Sequence, residues 1–118
     1  MSALQSFTSS RRNGTILRLG ELEVRPDELQ VLAGTRRLGL TTREFQVFLA
    51  LAERCDRVVL RFDIYELVWG GRMARRDRSV DVFVRRVRTK LGAASPGWSY
   101  IHTHFGIGYR FSPERIGD

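Results

Sequence analysis

The chain has 118 residues, 42% of them apolar. That is enough for one domain with a single modest core, and too apolar for a disordered tail. The formal net charge is +7, and its location says more than its size. Between Arg72 and Lys90, eight basic side chains (Arg72, Arg75, Arg76, Arg78, Arg85, Arg86, Arg88 and Lys90) stand against Asp77 and Asp81, so this stretch holds +6 of the total. Positive charge gathered on one element is the electrostatic footprint of a nucleic-acid binder, the plainer alternative being a solvated helix face. Lys90 is the only lysine, and arginine's planar donor fork suits phosphate and guanine edges better than lysine's point charge. A lone cysteine, Cys55, excludes an internal disulfide and any cysteine-framed zinc site. No apolar run approaches the roughly 18 residues of a membrane span. The opening "MSALQSFTSS" also lacks the apolar core of a secretory signal. The expected location is the cytoplasm, without membrane association.

Residues 1–14 are small, polar and aperiodic, and read as a flexible arm or linker. From Thr15 to Leu40 come short alternating segments, "TILRLGELEVR", "LQVLAG" and "RRLGL", separated by turn formers at Pro26-Asp27 and Gly34-Thr35; they predict a small antiparallel sheet. In "TTREFQVFLALAERC" the period changes. Thr41 and Glu44 fit a capping box, and Phe45, Phe48, Leu49 and Ala52 recur at i, i+3, i+4 and i+7, so a first helix with one buried stripe is expected. A short extended "RVVL" leads to a second helix, "RFDIYELVW", with Ile64, Leu67 and Val68 at helical spacing. Two glycines stop it, and "GGRMARR" is read as a flexible loop.

Asp77 then stands where an N-cap acceptor is wanted, before "SVDVFVRRVRTKL". At about 100° per residue, Val80, Val84, Val87 and Leu91 fall within an arc of about 60°. Arg78, Val82, Arg85, Arg86 and Thr89 gather on the far side, between about 140° and 240°. A strand would put Arg86 on the face of Val80, Val82 and Val84, so a third helix is expected over about 78–91, one face for the core and one for water or a polyanion. After Leu91, "GAASPG" ends it. "WSYIHTHFGIGYRF" reads as a hairpin in which Tyr100, His102 and His104 alternate with Ile101, Thr103 and Phe105, turning at Gly106-Ile107-Gly108. The expected organisation is an arm over 1–14, a domain over 15–113 and a tail over 114–118.

The stretches "LTTREFQVFLALAE", "VVLRFDIYELVWG", "RSVDVFVRRVRTKLG" and "GIGYRF" resemble the DNA-binding effector domain of OmpR/PhoB-type bacterial response regulators of two-component systems. The likeness runs in order from about residue 15 to 113. It implies an α+β winged helix-turn-helix: an N-terminal antiparallel sheet, three helices and a C-terminal hairpin wing. It also implies a sequence-specific transcription regulator of double-stranded DNA, with the third helix in the major groove and the wing, about 99–111, at the adjacent minor groove. Family contacts carry over onto Arg78, Ser79, Asp81, Val82, Arg85, Arg86 and Arg88. Arg85 and Arg86 can fork to guanine or phosphate, and Val82 can meet a thymine methyl. Arg78, Ser79 and Arg88 suit the backbone, with Thr89 on the same face. Asp81 either orients a neighbouring arginine or accepts from cytosine N4. Binding as a head-to-tail pair is a further implication.

The chain departs from the family at several places. Where the wing usually carries an arginine before its G-x-G turn stands Phe105. His104, His102 or Arg110 can stand in for that cation, or Phe105 can meet sugars or bases itself. Its alternation with Thr103 and Ile101 favours packing on the third helix. Phe83 stands where histidine is common and borders the core stripe, so partial burial is expected. The family loop before the third helix touches RNA polymerase, its sigma or alpha subunit. Here Arg72, Arg75 and Arg76 make it basic, suited to DNA phosphate or an acidic protein patch. Trp69 either caps the second helix or meets a partner. The family's receiver domain is not among these residues, which leaves open an effector portion or a regulator without that switch. Rival readings are a polymerase- or sigma-docking module and a sequence-tolerant, nucleoid-associated binder. Two histidines, His102 and His104, make a poor metal site without a third ligand, Gly106-Ile107-Gly108 lacks the features of a dinucleotide loop, and no nucleophile–base set is evident. Neither an enzyme nor a cofactor is expected.

Overall fold

The computed structural model describes residues 15–117; the arm expected over 1–14 lies outside the described residues. Four short strands, β1 (Leu17–Leu19), β2 (Leu22–Arg25), β3 (Gln30–Ala33) and β4 (Arg36–Arg37), form an antiparallel meander in chain order, with a 3-10 turn at Pro26–Glu28 between β2 and β3. Alternation sends Leu22, Val24, Val31 and Ala33 inward. Helix α1 (Thr42–Ala52) follows. Strand β5 (Val58–Leu60) leads into α2 (Arg61–Trp69), and a loop precedes α3 (Ser79–Ala94). Strands β6 (Trp98–His104) and β7 (Gly108–Arg115) close the chain as an antiparallel hairpin. The fold is the α+β winged helix that the resemblance implies.

The capping box at the start of α1 is present. Glu44 N–H donates to Thr41 Oγ1 at 3.2 Å, and Thr41 N–H donates to Glu44 Oε1 at 2.9 Å. The helix buries more than the expected stripe, however, although Leu49 of that stripe is only half-buried. Phe45, Val47, Phe48, Ala50, Leu51 and Ala52 are all buried, because α1 packs against α2, α3 and β7. Phe48 meets Phe111 of β7 edge-on, ring centroids 5.5 Å apart. In α2 only Ile64 is fully buried, Val68 packs on the core, and Leu67 is 50% exposed. The inward face of this short surface helix passes through Arg61, Ile64, Tyr65 and Val68, which leaves Leu67 to solvent.

Helix α3 buries Val80, Val84, Val87 and Leu91, the arc read from the sequence, at about 1.5–3 kcal/mol for each large side chain fully removed from water. It runs to Ala94, three residues beyond the expected end. Gly92 is tolerated because Ala93 and Ala94 favour helix, and the chain leaves the helix at Ser95, the residue before Pro96. Ser95 is itself fully buried and shares a hydrogen bond with the Tyr100 hydroxyl at 3.0 Å.

The hairpin is part of a three-stranded sheet, since β5 pairs antiparallel with β7 to give the order β5-β7-β6. The expected alternation in β6 fails at its start. A register shift between Ser99 and Ile101 lets Tyr100 and Ile101 both point into the core. Strand β7 continues through Glu114 and Arg115, two residues past the expected domain end. Among the described residues no helix is long and apolar enough to cross a membrane.

At Gly108, opposite Leu60, a Cβ would lie 2.0 Å from the Val59 carbonyl oxygen. That backbone cannot retreat without unpairing β5 from β7. Gly108→Ala is therefore expected to destabilise the domain by about 1–3 kcal/mol or more, read as a lower denaturation midpoint.

Candidate nucleic-acid interface

Helix α3 divides its side chains cleanly. Opposite the valine stripe, Val82 is 41% exposed, and Arg85, Arg86 and Thr89 are also exposed. The Arg85 side chain makes no hydrogen bond or ion pair among the described residues, so its donors are available. Thr89 returns its hydroxyl to the Arg85 carbonyl at 3.0 Å, a common helical back-bond. Arg86 lies over the Phe83 ring, 5.0 Å from its centroid. Phe83 is partly buried, as expected, and meets Trp69 edge-on at 5.5 Å, and Trp69 stacks on Tyr65 at 5.1 Å. Arg43 covers the same indole at 5.2 Å and donates to the Val68 carbonyl. Trp69 thus packs as a partly buried cap on α2.

Asp81 is partly buried and turned to donors of the fold itself. It accepts a forked pair of bonds from Arg61, Nε to Oδ1 at 3.1 Å and Nη2 to Oδ2 at 2.6 Å, and a third bond from the Tyr109 hydroxyl at 2.6 Å. Arg78 lies 3.9 Å away on the helix start. The expectation that Asp81 orients an arginine holds, but the arginine is Arg61 of α2. Burial alone would raise the carboxyl's pKa; the bonds from Tyr109 and Arg61, with the charges of Arg61 and Arg78, outweigh it and hold the group below the usual carboxylate range. Burial and the Asp81 acceptor push the Tyr109 hydroxyl up to about 12. No sequence pattern links positions 61, 81 and 109; the one hint is an acid placed in an otherwise basic helix.

Arg88 reaches across to the wing, donating to Thr103 Oγ1 at 2.7 Å and the Ile101 carbonyl at 3.3 Å, with its guanidinium 5.6 Å from the Tyr109 ring centroid. At the far end of the helix, Lys90 pairs with the buried Glu44 at 2.7 Å and with the Gly39 carbonyl. Arg88 and Lys90 therefore direct donors to acceptors of the fold itself, although Arg88 stays exposed at the surface.

The loop before α3 is less free than its composition suggests. Met73 is buried, Asp77 N–H donates to the Ala74 carbonyl, and Asp77 Oδ1 accepts from Ser79 N–H at 2.7 Å. Asp77 thus satisfies a free helix-start donor from one place before the cap, which is Arg78. Arg72, Arg75 and Arg76 project from this anchored loop, exposed and without a partner among the described residues. In the wing, Arg110 donates to His104 Nε2 at 3.2 Å and to the Ser112 hydroxyl, and Ser112 passes a bond to Asp56. His102 meets the Ser112 carbonyl at 2.8 Å. Phe105 does not pack on α3. The strand ends at His104, Phe105 falls in the turn, and it is 90% exposed, so the strand alternation that favoured packing does not extend to it. Among the described residues no three metal-ligating side chains converge.

The Asp81 cluster generates a pH test. Its folded pKa is depressed below the unfolded value of about 3.9, so its stabilisation is complete above that value and is lost as pH falls through the folded one. Asp81→Asn is expected to cost about 1–3 kcal/mol at pH 7, with the gap from the unaltered chain closing as the solution is acidified below the ordinary carboxylate range. Thermal melts across that range check it.

A family model described as "Transcriptional regulatory protein, C terminal" matches residues 35–111, more than half of the chain. The heme response regulator HssR of Staphylococcus epidermidis is 34% identical over 94 residues, 80% of this chain and 42% of that protein. The chain spans about two-fifths of the length of the curated relatives it matches. The RstA DNA-binding domain of Klebsiella pneumoniae, solved in complex with the RstA box, superposes with a TM-score of 0.76 at 29% identity, covering 85% of this chain and 99% of that one. The DNA-binding domain of CpxR from E. coli gives 0.75 at 26% identity, over 83% and 96%. The relatives are transcriptional regulators rather than enzymes, and with this fold the chain belongs to the OmpR/PhoB-type winged-helix effector domains found at the C terminus of transcriptional regulatory proteins.

Proposed function

We propose that this domain binds double-stranded DNA sequence-specifically as a transcription regulator, with α3 in the major groove and the β6–β7 wing at the adjacent minor groove. The observation that carries the reading is the outward face of α3, where Val82, Arg85, Arg86 and Thr89 stand exposed while the opposite face is locked into the core. Arg86, restrained on Phe83, is placed to fork to a guanine edge, and Val82 to meet a thymine methyl. Arg78 and Ser79, at the helix N-terminus, and Arg85, on its outward face, suit phosphates and set register. Arg88 and Asp81 act indirectly, the first by holding the wing and the second by holding Arg61 and Tyr109. His104 and Arg110, bonded to each other, form the polar flank of the wing. Two copies on a direct repeat are expected from the family.

Arg86→Ala is expected to relax base preference at one position of each half-site and to cost roughly 1–3 kcal/mol on the preferred sequence. Binding-site selection from a random pool, repeated with the variant, checks this; an equal loss on all sequences would make Arg86 a phosphate clamp.

The loop arginines separate DNA from a protein partner such as polymerase sigma or alpha subunit. Removing Arg72, Arg75 and Arg76 together is expected to weaken binding to every sequence and to flatten the salt dependence by about 0.9 for each phosphate that is no longer neutralised. A salt slope left unchanged, with transcription altered, would assign the loop to a protein partner.

A further inference from the structure

The tip of the wing carries no charge. His104 pairs with Gly108 to close the hairpin, and the turn between them is Phe105, Gly106 and Ile107. Phe105 is 90% exposed, more than any other large hydrophobic residue described, and Ile107 is 53% exposed. Single exposed apolar side chains are ordinary on protein surfaces, so exposure alone carries nothing. The setting of this pair does.

The turn is held in place. Ile107 N–H donates to the His104 carbonyl at 2.9 Å, the Ile107 carbonyl accepts from Arg61 N–H at 3.4 Å, and Gly106 takes the positive φ of +75° that the turn needs. Behind it the wing is clamped to α3 through Tyr109–Asp81 and Arg88–Thr103. An aromatic ring on a fixed turn loses little freedom on binding. The elements that build this end carry Arg61, Arg88 and Arg110; of their acids, Asp81 is already occupied by Arg61 and Tyr109, Glu114 lies 4.0 Å from Arg110, and Asp63 and Glu66 of α2 are exposed. An apolar tip on a cationic base fits a partner that is anionic at its rims and apolar within. A minor groove, about 6 Å wide and walled by deoxyribose between phosphate rims, has that character.

We propose that Phe105 is a wedge. It enters the minor groove beside the α3 site and packs on sugar or partly unstacks a base step, so that the domain favours a deformable pyrimidine–purine step there. This rests on the reading of the domain as a DNA binder. A cation at the tip would read groove potential and release counterions, whereas the ring reads deformability and leaves the salt dependence untouched.

The test titrates the unaltered chain, Phe105→Ala and Phe105→Arg onto duplexes carrying 2-aminopurine at a TA step or inside an A-tract, at low and moderate salt. All three proteins should melt alike, since the side chain is solvent-exposed. The unaltered chain is expected to raise 2-aminopurine fluorescence at the TA step. Phe105→Ala should abolish that rise and bind about tenfold more weakly, the scale of a single base–aromatic stack, with an unchanged salt slope. Phe105→Arg should prefer the A-tract with a slope steeper by about 0.9. Binding by the unaltered chain without a fluorescence rise, and equal affinity for Phe105→Ala, would overturn the wedge and leave the DNA-binding reading intact. No binding at low salt overturns both. Loss in Phe105→Ala of cooperativity between two copies alone, with fluorescence retained, would give the ring to a protein partner and overturn the wedge.

Discussion

Asp81 is the single acid on α3, and Arg61, Tyr109 and Arg78 converge on it from α2, β7 and the start of the helix itself. A fully exposed ion pair contributes about 0–1 kcal/mol. This one is three-quarters shielded and made of charge-assisted bonds in a forked geometry, which are roughly twice as strong as neutral ones. One carboxylate thereby fixes the rotation of α3, the start of α2 and the root of the wing together. The other end of α3 is held by the opposite sign, with Lys90 reaching the buried Glu44 and the Gly39 carbonyl. Glu44 is held ionised by Lys90 and by its cap to Thr41 despite its burial. Two pairs of opposite polarity, one near each end, and a valine stripe between them leave the helix a single azimuth.

That azimuth is what makes a strongly basic helix tolerable. Two outward arginines about 6 Å apart repel by roughly 0.7 kcal/mol in water, and salt screens this further. Each fully buried valine contributes about 1.5–3 kcal/mol in the other direction. The balance favours folding only while the arginines stay in water. Rotated inward, any of them would be a buried charge without a partner, which costs far more than the repulsion. Hydrophobic burial thus decides which way the cations point, and the Asp81 and Lys90 pairs keep that choice from drifting.

Local periodicity made most of the fold legible. The Thr41–Glu44 box, the valine stripe of α3 and the alternation of β2 and β3 are each readable because one period dominates over enough residues. The readings that failed needed information from elsewhere in the chain. Leu67 has helical spacing with Ile64 and Val68 but lies off the face that a nine-residue helix presents to the core. The burial of α1 on several sides depends on three elements packing against it. The bulge that turns both Tyr100 and Ile101 inward, and the pairing of β5 with β7, are products of sheet assembly. For the site, the outward residues of α3 were legible from angle alone. The partners of Asp81 were not, since Arg61 and Tyr109 stand 20 and 28 residues away. Phe105 was misplaced because strand alternation was extended one residue into a turn.

The same logic separates two adjacent arginines that sequence treats alike. Arg85 has no partner among the described residues and keeps its rotamer freedom, which suits phosphates, whose positions vary little with sequence. Arg86 is stacked on Phe83, which is braced by Trp69, which in turn lies between Tyr65 and Arg43. A planar fork already held in one orientation has less entropy to lose on forming paired hydrogen bonds, and a misaligned base edge leaves its donors unpaired. On the proposed reading, discrimination resides in the stacked arginine and general affinity in the free one. The aromatic column, running from α2 into α3, is what makes the difference between them.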